Sequence, residues 1–352
     1  MEDDAARAPS YPQGEGIAAL RQHDRRGGGR RGLPGWAAVL CWIVVLLLLT
    51  VALVRVIAWD SFEPFAVIDA GTVFVFLPAW VVLVVAGLGR QVALAAAALV
   101  VVVAQVAFLL PELTAAQPVP SWAAGAPTIR LFDANVYSGN PSMAGYARAI
   151  ASLHPDLVTL EEASPADVDQ LVASGALDRL PYRIQLKRYG PTAYLIASRY
   201  PLTHENAVYD LASRPIIVQA TLVLPSGPVA LWVVHVPAPL PQAFAEWQGD
   251  FDQISHLVRV HGPNRLLVVG DFNATWGNKG FRAILDAGLT DAAAARGHAL
   301  AMTWSQIKPV VPPLVRIDHV LTGTGIAVAA IATGDGPGSD HRDTTATVAI
   351  RH

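Results

Sequence analysis

Three apolar runs crowd the first third of the chain and decide what the rest of it can be. Trp36 to Ala58 is almost unbroken hydrophobic sequence, long enough to cross about 30 Å of hydrocarbon. Gly71 to Leu88 and Val92 to Leu110 follow, each near the lower length limit for a span. With 53% hydrophobic and only 15% charged residues, the chain is too apolar for one soluble globule, and the excess sits in this region. A secretory signal is the rival reading of the first run, because arginines precede it. That run is too long, lacks a clear small-residue cleavage site and is followed by two more, so the pattern predicts three transmembrane helices. Asp69 and Gln105, inside them, read as interfacial or helix-contact residues rather than an ion path.

Orientation follows from the arginines. Arg25, Arg26, Arg30 and Arg31 stand just before the first run, with Arg7 and Arg21 further out, whereas the next loop holds Asp60 and Glu63. This asymmetry predicts a cytoplasmic N-terminus, puts Arg90 inside, and leaves everything after Pro111 outside. Residues 1–35 read as a disordered Arg/Gly-rich cytoplasmic tail, 36–110 as the membrane region, 111–127 as a Pro-rich linker and 128–352 as one extracytoplasmic domain large enough for a substantial core. Cys41, the only cysteine, lies in the first run, so the domain holds no disulfide. Arg outnumbers Lys heavily, and Ala, Gly and Val abound, which points to a GC-rich bacterial genome and hence to a bacterial cytoplasmic membrane.

Within 128–352, strand and helix signals alternate at first: strand Thr128 to Asn135, helix Met143 to Leu153, strand Leu157 to Leu160, helix Pro165 to Ser174. Strands around 182–186, 193–197, 216–224 and 229–235 come next, then a helix over 242–260. Strand 266–269, helix 279–287 and strands 317–321, 326–331 and 344–350 complete the pattern, the last as a final or edge strand. Many strands with interposed helices predict two packed sheets flanked by helices. Polar residues collect at strand ends, where α/β proteins keep their chemistry. Gly270-Asp271-Phe272-Asn273 closes an apolar run, Ser339-Asp340-His341 follows a Gly-rich turn, and Asn135, Glu162, His235 and Asp318 stand at or just beyond four further runs. Oxygen and imidazole ligands of this kind suit a hard metal and the activation of water.

In this order and context the motifs resemble the endonuclease/exonuclease/phosphatase superfamily, the DNase I-like metal-dependent phosphoesterases, over essentially all of 128–352. The resemblance implies a four-layer α/β sandwich and a Mg2+ site, with Mn2+ as the alternative metal. Glu162, last residue of Leu160-Glu161-Glu162, would be the first metal ligand, with Asn135 and Asp340 contributing directly or through water. His341 would act near the attacking water as base or charge-stabilising imidazole, held in one tautomer by Asp318. Asp271 would orient the nucleophile, and Asn273 and His235 would donate to phosphate oxygens. Strand alternation turns Glu161 and His319 away from the site. Trp276 is a candidate for the cleft mouth, and Lys187, Arg188 and Arg199 read as solvated charges before they read as an anion site.

From Thr128 onward 17 Lys and Arg face 19 Asp and Glu, with no basic run or interleaved basic-aromatic face. Nucleic-acid binding normally leaves such a footprint, so a nuclease is the second reading, kept open because a local basic patch can hide in a neutral total. A short linker holds the domain at high effective concentration near lipid headgroups, which favours a lipid-linked phosphate or pyrophosphate. Three spans followed by an outward domain also resemble the actinomycete membrane proteins associated with teicoplanin-type glycopeptide resistance, implying a role at the cell envelope. A noncatalytic envelope or antibiotic-binding protein on the same scaffold is the third reading, and oligomeric state is open.

Overall fold

The computed structural model describes residues 33–186, 193–306 and 310–352. Most of the tail read as disordered, residues 1–32, and the Lys187-Arg188 pair lie outside the described residues.

Apolar sequence first forms a helical bundle: α1 (Gly35–Ile57), α2 (Glu63–Ala70), α3 (Thr72–Val75), α4 (Leu77–Leu88) and α5 (Val92–Leu113). Among the described residues, α1 and α5 are long and apolar enough to cross a membrane; a third span exists only if α2 and the helical run 72–88 count as one, and these are bent by 78°. The second predicted span, Gly71 to Leu88, is thus only the second arm of a bent pair and passes as a span only together with α2. The break falls at Gly71, where the Thr72 hydroxyl donates to the Asp69 carbonyl. Polar side chains inside the bundle pair with one another, as apolar surroundings favour. Arg55 pairs with Asp69 at 2.9 Å, and Gln105 accepts from the Trp80 indole and donates to the Val73 carbonyl, so both residues flagged in the sequence are helix contacts. The last helix runs three residues beyond the predicted Leu110, past Pro111, and brings Glu112 into contact with the domain.

The domain holds two six-stranded mixed sheets. The first, ordered β11-β12-β1-β2-β4-β3, contains β1 (Thr128–Asn135), β2 (Leu157–Glu161), β3 (Tyr182–Leu186), β4 (Tyr194–Ser198), β11 (Ile326–Thr333) and β12 (Thr344–Ile350). The second, ordered β5-β6-β7-β8-β10-β9, contains β5 (Leu202–Tyr209), β6 (Pro215–Leu224), β7 (Gly227–His235), β8 (Leu266–Asp271), β9 (Thr290–Asp291) and β10 (Asp318–Thr322). Each sheet has one parallel pair at its centre, β1 with β2 and β7 with β8, and antiparallel neighbours elsewhere. The final strand β12 lies inside its sheet, between β11 and β1, not at the edge. Inward residues such as Leu131, Ile196, Leu231 and Val348 pack sheet on sheet. Helices α6 (Met143–Leu153) and α7 (Pro165–Ala173) cover one outer face, and α8 (Phe244–His261) and α9 (Lys279–Asp286) the other, which completes the four layers. A one-turn helix, α10 (Ala292–Ala295), follows β9. Gly270, at φ +126°, is required for the central pairing, because a Cβ there would collide with the Val234 carbonyl.

Domain and bundle are joined by specific contacts as well as by the 111–127 segment. Gly277 O accepts from the Trp59 indole at 2.7 Å, Asn278 Nδ2 donates to the Ala66 carbonyl, and Lys279 N donates to Asp60. Gly277 has no side chain to spare here, since a Cβ would run into the Asp69 carbonyl. On the other flank, buried Arg316 binds Glu112 of α5 and Asp291 of β9, while His319 Nδ1 meets Asp291 at 2.7 Å. Against the upward push of burial, Arg316 and His319 hold the Asp291 carboxyl well below the usual carboxylate range. Removing one partner of a buried pair strands the other's charge. Glu112→Ala is therefore expected to destabilise the detergent-solubilised protein by about 3 kcal/mol, read as a lowered melting temperature, with Glu112→Gln intermediate. Equal melting of wild type and Glu112→Ala would refute a structural role for the pair.

Candidate metal-dependent hydrolytic site

Both parallel pairs end at the same edge of the sandwich, so their C-terminal residues meet. Register makes the meeting specific: Asn135 lies opposite Glu161, His235 opposite Asp271, and Asp271 opposite Asp318. His341 arrives from the Gly-rich turn before β12. That turn is tied down by Ser339, whose hydroxyl donates to the Asn135 carbonyl and accepts from His341 N.

His341 Nδ1 lies 3.0 and 3.1 Å from the two Asp318 oxygens, which leaves Nε2 facing the cleft, 3.7 Å from Asp271 Oδ2. His235 Nε2 approaches the same Asp271 oxygen at 3.6 Å and Glu162 Oε1 at 3.9 Å. Asn135 donates its amide to Asp271 at 3.0 Å and to Glu162 at 3.2 Å, while its Oδ1 accepts from Tyr137 N. It therefore stands in this arrangement as a clamp between two carboxylates. Asn273 N donates to Asp271 Oδ1 at 2.8 Å, and its amide donates to the Val236 carbonyl and to Asp271 Oδ2. Asp340, two-fifths exposed, accepts from the Trp304 indole at 2.9 Å and lies 4.0 Å from His341 Nε2. All eight residues singled out in the sequence are thus brought together.

Two of them sit on strained backbone. Glu162 has φ +58° and Asn273 φ +46°, left-handed values that cost a non-Gly residue energy and persist only where the surroundings enforce them. Glu162 lies just past the end of β2, so strand alternation does not govern it. Glu161 is the last strand residue and is fully buried beneath the site, not on a remote face. Its carboxylate and that of Asp133 are pushed upward by burial and by neighbouring carboxylates, Asp133 to about 8 although the Thr159 hydroxyl donates to it. His319, by contrast, does point away, into its contacts with Asp291 and the Ala274 carbonyl.

The cleft over this edge encloses about 490 Å3. Its walls add residues with no motif to announce them: Tyr137, Arg214, Leu240 and Trp304. Trp276 is not among them. Arg282 lies over both the Trp276 and Trp59 rings, so Trp276 faces the N-terminal helical bundle. Arg199 pairs with Asp156 and takes no part in the cleft.

Charge decides what the cleft can hold. Glu162, Asp271, Asp318 and Asp340 converge on two imidazoles, and among the described residues the one guanidinium lining the cleft, Arg214, is engaged by Asp210 and Glu246. Burial opposes charge on His341, yet Asp318 and Asp271 outweigh it and raise its pKa to about 10. Burial likewise pushes the Asp271 carboxyl up, with His341 and His235 pulling the other way. Asp271, Asp318 and His341 place ligand atoms within 4.8 Å of one another. Glu162 and Asp340 also line the cleft, so further carboxylate oxygens that could hold a hard cation stand beside this group. An excess of oxygen anions with octahedral-type donors fits a divalent metal.

Residues 134–341 match the model of the Endonuclease/Exonuclease/phosphatase family. The fold is similar to that of the 3'-5' exonuclease NExo from Neisseria meningitidis, at 17% identity and a TM-score of 0.52, covering 64% of this chain and 100% of that one. A humanized TDP2 from D. rerio is similar at 15% identity and TM-score 0.52, covering 63% and 98%. An endonuclease/exonuclease/phosphatase family protein from Bacteroides thetaiotaomicron is similar at 13% and 0.52, covering 64% and 99%. No curated protein matches the sequence.

One acid beside the cleft carries a pH signature of its own. Asp250 of α8 is buried, and burial together with Asp210 pushes its pKa to about 7 against the pull of Arg214. A carboxyl raised above its unfolded value near 4 contributes stability that is full below about pH 4 and is lost as pH climbs through 7. Asp250→Asn is expected to raise the melting temperature at pH 8 by roughly 5 °C and leave it unchanged at pH 4. A uniform shift at both pH values would contradict the assignment.

Proposed function

The chain belongs to the endonuclease/exonuclease/phosphatase family, and on that premise we propose that it is a membrane-anchored, Mg2+-dependent phosphoesterase acting on a lipid-linked phosphate or pyrophosphate at the outer face of a bacterial cytoplasmic membrane. One observation carries the substrate class. The loop leaving the catalytic strand, from Asp271 to Lys279, begins at the site and ends bonded to the membrane segment through Gly277, Asn278 and Lys279. Chemistry and anchor are one loop apart, which favours a phosphate carried at the bilayer surface over a soluble polymer. The arginine asymmetry supports the outward orientation. A part in glycopeptide resistance rests on the likeness of this architecture to the envelope proteins associated with that phenotype.

In this reading Glu162 would hold the metal, with Asp340 and Asn135 contributing directly or through water; when bound there, a divalent ion would neutralise charge on the phosphate oxygens and help fix the phosphate in place. Asp318 grips Nδ1 of His341, so that Nε2 is the atom that exchanges a proton or faces the developing charge. Asp271, fixed by Asn135 and by Asn273 N, stands 3.7 Å from that nitrogen, where it orients the attacking water. His235 and the Asn273 amide flank the same oxygen; His235 would donate to a phosphate oxygen, and Asn273 would do so with the N–H it now turns to Asp271.

The nuclease reading borrows from the exonuclease of similar fold; the engaged Arg214 and the neutral domain charge count against it. The deciding experiment is a substrate panel with full-length protein in nanodiscs and Mg2+, comparing lipid pyrophosphates, phospholipids, plasmid and single-stranded DNA. Phosphate release from the lipid, abolished by EDTA and by His341→Ala, is expected; DNA cleavage alone would replace this proposal with the nuclease. Asp318→Asn is expected to lower kcat by about 10²- to 10⁴-fold with a smaller effect on KM, since it removes the group that fixes the imidazole tautomer. An unchanged kcat would remove His341 and Asp318 from the mechanism.

A further inference from the structure

The segment between α10 and β10 carries exposed leucines where an extracytoplasmic domain would ordinarily present polar groups. Leu300 and Leu314 are 52% and 43% exposed. Together with Met302 they line a small cleft shared with Val73 and Leu109 of the membrane helices, with the Arg316–Glu112 pair and Asp69 also in its lining. Helix α5 has 22 residues and so spans about 33 Å, and Leu109 lies four residues, about 6 Å, inside its far end. That depth is where hydrocarbon gives way to headgroups. Leu110 and Leu113 at the same helix end are also about half exposed, so this end of the helix, like the domain segment that meets it at Leu109, presents apolar side chains outward.

The other end of the segment is the wall of the catalytic cleft. Leu314 N and Val315 N both donate to the Trp304 carbonyl, at 2.8 and 2.7 Å, and the Trp304 indole donates to Asp340. A single backbone pairing thus separates a leucine at membrane level from a side chain touching a site carboxylate. The cleft rim continues the apolar character through Tyr137, Pro237 and Leu240, two of them more than half exposed.

We propose that the segment bearing Leu300 and Leu314 is a second bilayer contact, set into the outer-leaflet interface beside the end of α5, and that it fixes the mouth of the catalytic cleft at headgroup level. It rests on the reading of the apolar helices as spans, and it deepens the proposed substrate class. A lipid-borne phosphate would then reach Glu162 and Asp340 by sideways movement along the leaflet, its chain remaining against Leu300 and Leu314 and never leaving hydrocarbon. A soluble domain merely tethered by a linker would instead have to lift its substrate out of the membrane.

Because Cys41 is the only cysteine, a Cys41→Ser background permits single labels. Leu300→Cys, Leu314→Cys and, as a control, Val260→Cys would each carry a nitroxide in full-length protein reconstituted into phospholipid nanodiscs. Val260 is apolar and 70% exposed but lies near the far end of α8, twelve residues beyond the Gln248 that touches the Asp60 carbonyl. Power saturation compares collision with oxygen, which concentrates in lipid, and with a nickel chelate, which stays in water. The expected result is a several-fold higher oxygen-to-nickel ratio at Leu300 and Leu314 than at Val260, with each variant melting like its parent. Ratios at both leucines as water-like as at Val260, in variants that melt normally, would overturn the proposal. The label depths need no turnover, so a protein inactive on lipid pyrophosphates would count against the substrate assignment alone.

Discussion

Everything in the site depends on two parallel strand pairs ending at one edge of the sandwich. A parallel pair delivers both of its C-terminal residues to the same place, and here each sheet has one such pair at its centre. Neither sheet alone holds the site: Asn135 and Glu162 come from one, His235, Asp271 and Asp318 from the other. The sheet-on-sheet core of Leu131, Leu231, Val269 and Val348 therefore sets the distance between donor groups as well as the stability of the fold. Gly270 lies at the centre of this arrangement, because any side chain there would push β8 off β7 and carry Asp271 with it.

The apolar helical bundle is built into the same framework. One contact runs through the loop that follows Asp271, the other through Arg316, two residues before Asp318. Both strands that supply carboxylates to His341 are consequently braced by bundle residues, β8 through Trp59 and Ala66, β10 through Glu112. A buried cation bonded to two carboxylates from different elements has few alternative arrangements, since any other would leave charge unpaired. The bracing fixes orientation as much as proximity.

Much of this was legible in the sequence because the signals were local. Gly-Asp-Phe-Asn closing an apolar run and Ser-Asp-His preceding one each announce a strand and its ligands in one stretch; seven of the eight residues singled out line the one cleft, and Asp318 stands behind His341. What was missed lacks a local signature. Strand β5 is a mostly exposed edge strand, Leu-Thr-His-Glu-Asn-Ala-Val-Tyr, with no buried face to impose alternation. Trp304 reaches the cleft through pairing with Val315 and contact with Asp340, neither of which sequence spacing encodes. Trp276 was drawn to the cleft by its closeness to Asn273, yet the chain turns at Gly277 toward the bundle. Glu161 lies beneath the site rather than on a remote face because β2 stops there and the left-handed backbone of Glu162 resets the direction, which strand alternation does not encode.

Glu161 also shows what the fold tolerates for the sake of its site. Among the described residues neither of its carboxylate oxygens has a hydrogen-bond partner, and Asp133 beside it has one oxygen in the same condition. Burying such groups costs stability unless they carry a proton or meet a positive charge. Burial and neighbouring carboxylates raise the pKa values of both carboxyls, and Asp318 and Asp271 raise that of His341 against its burial; a divalent cation at Glu162 and Asp340 would oppose the same excess of negative charge electrostatically. Anything that binds the folded chain and not the unfolded one stabilises it. The conflict between core packing and charge is therefore concentrated where a metal would relieve it, at the common edge of the two parallel strand pairs.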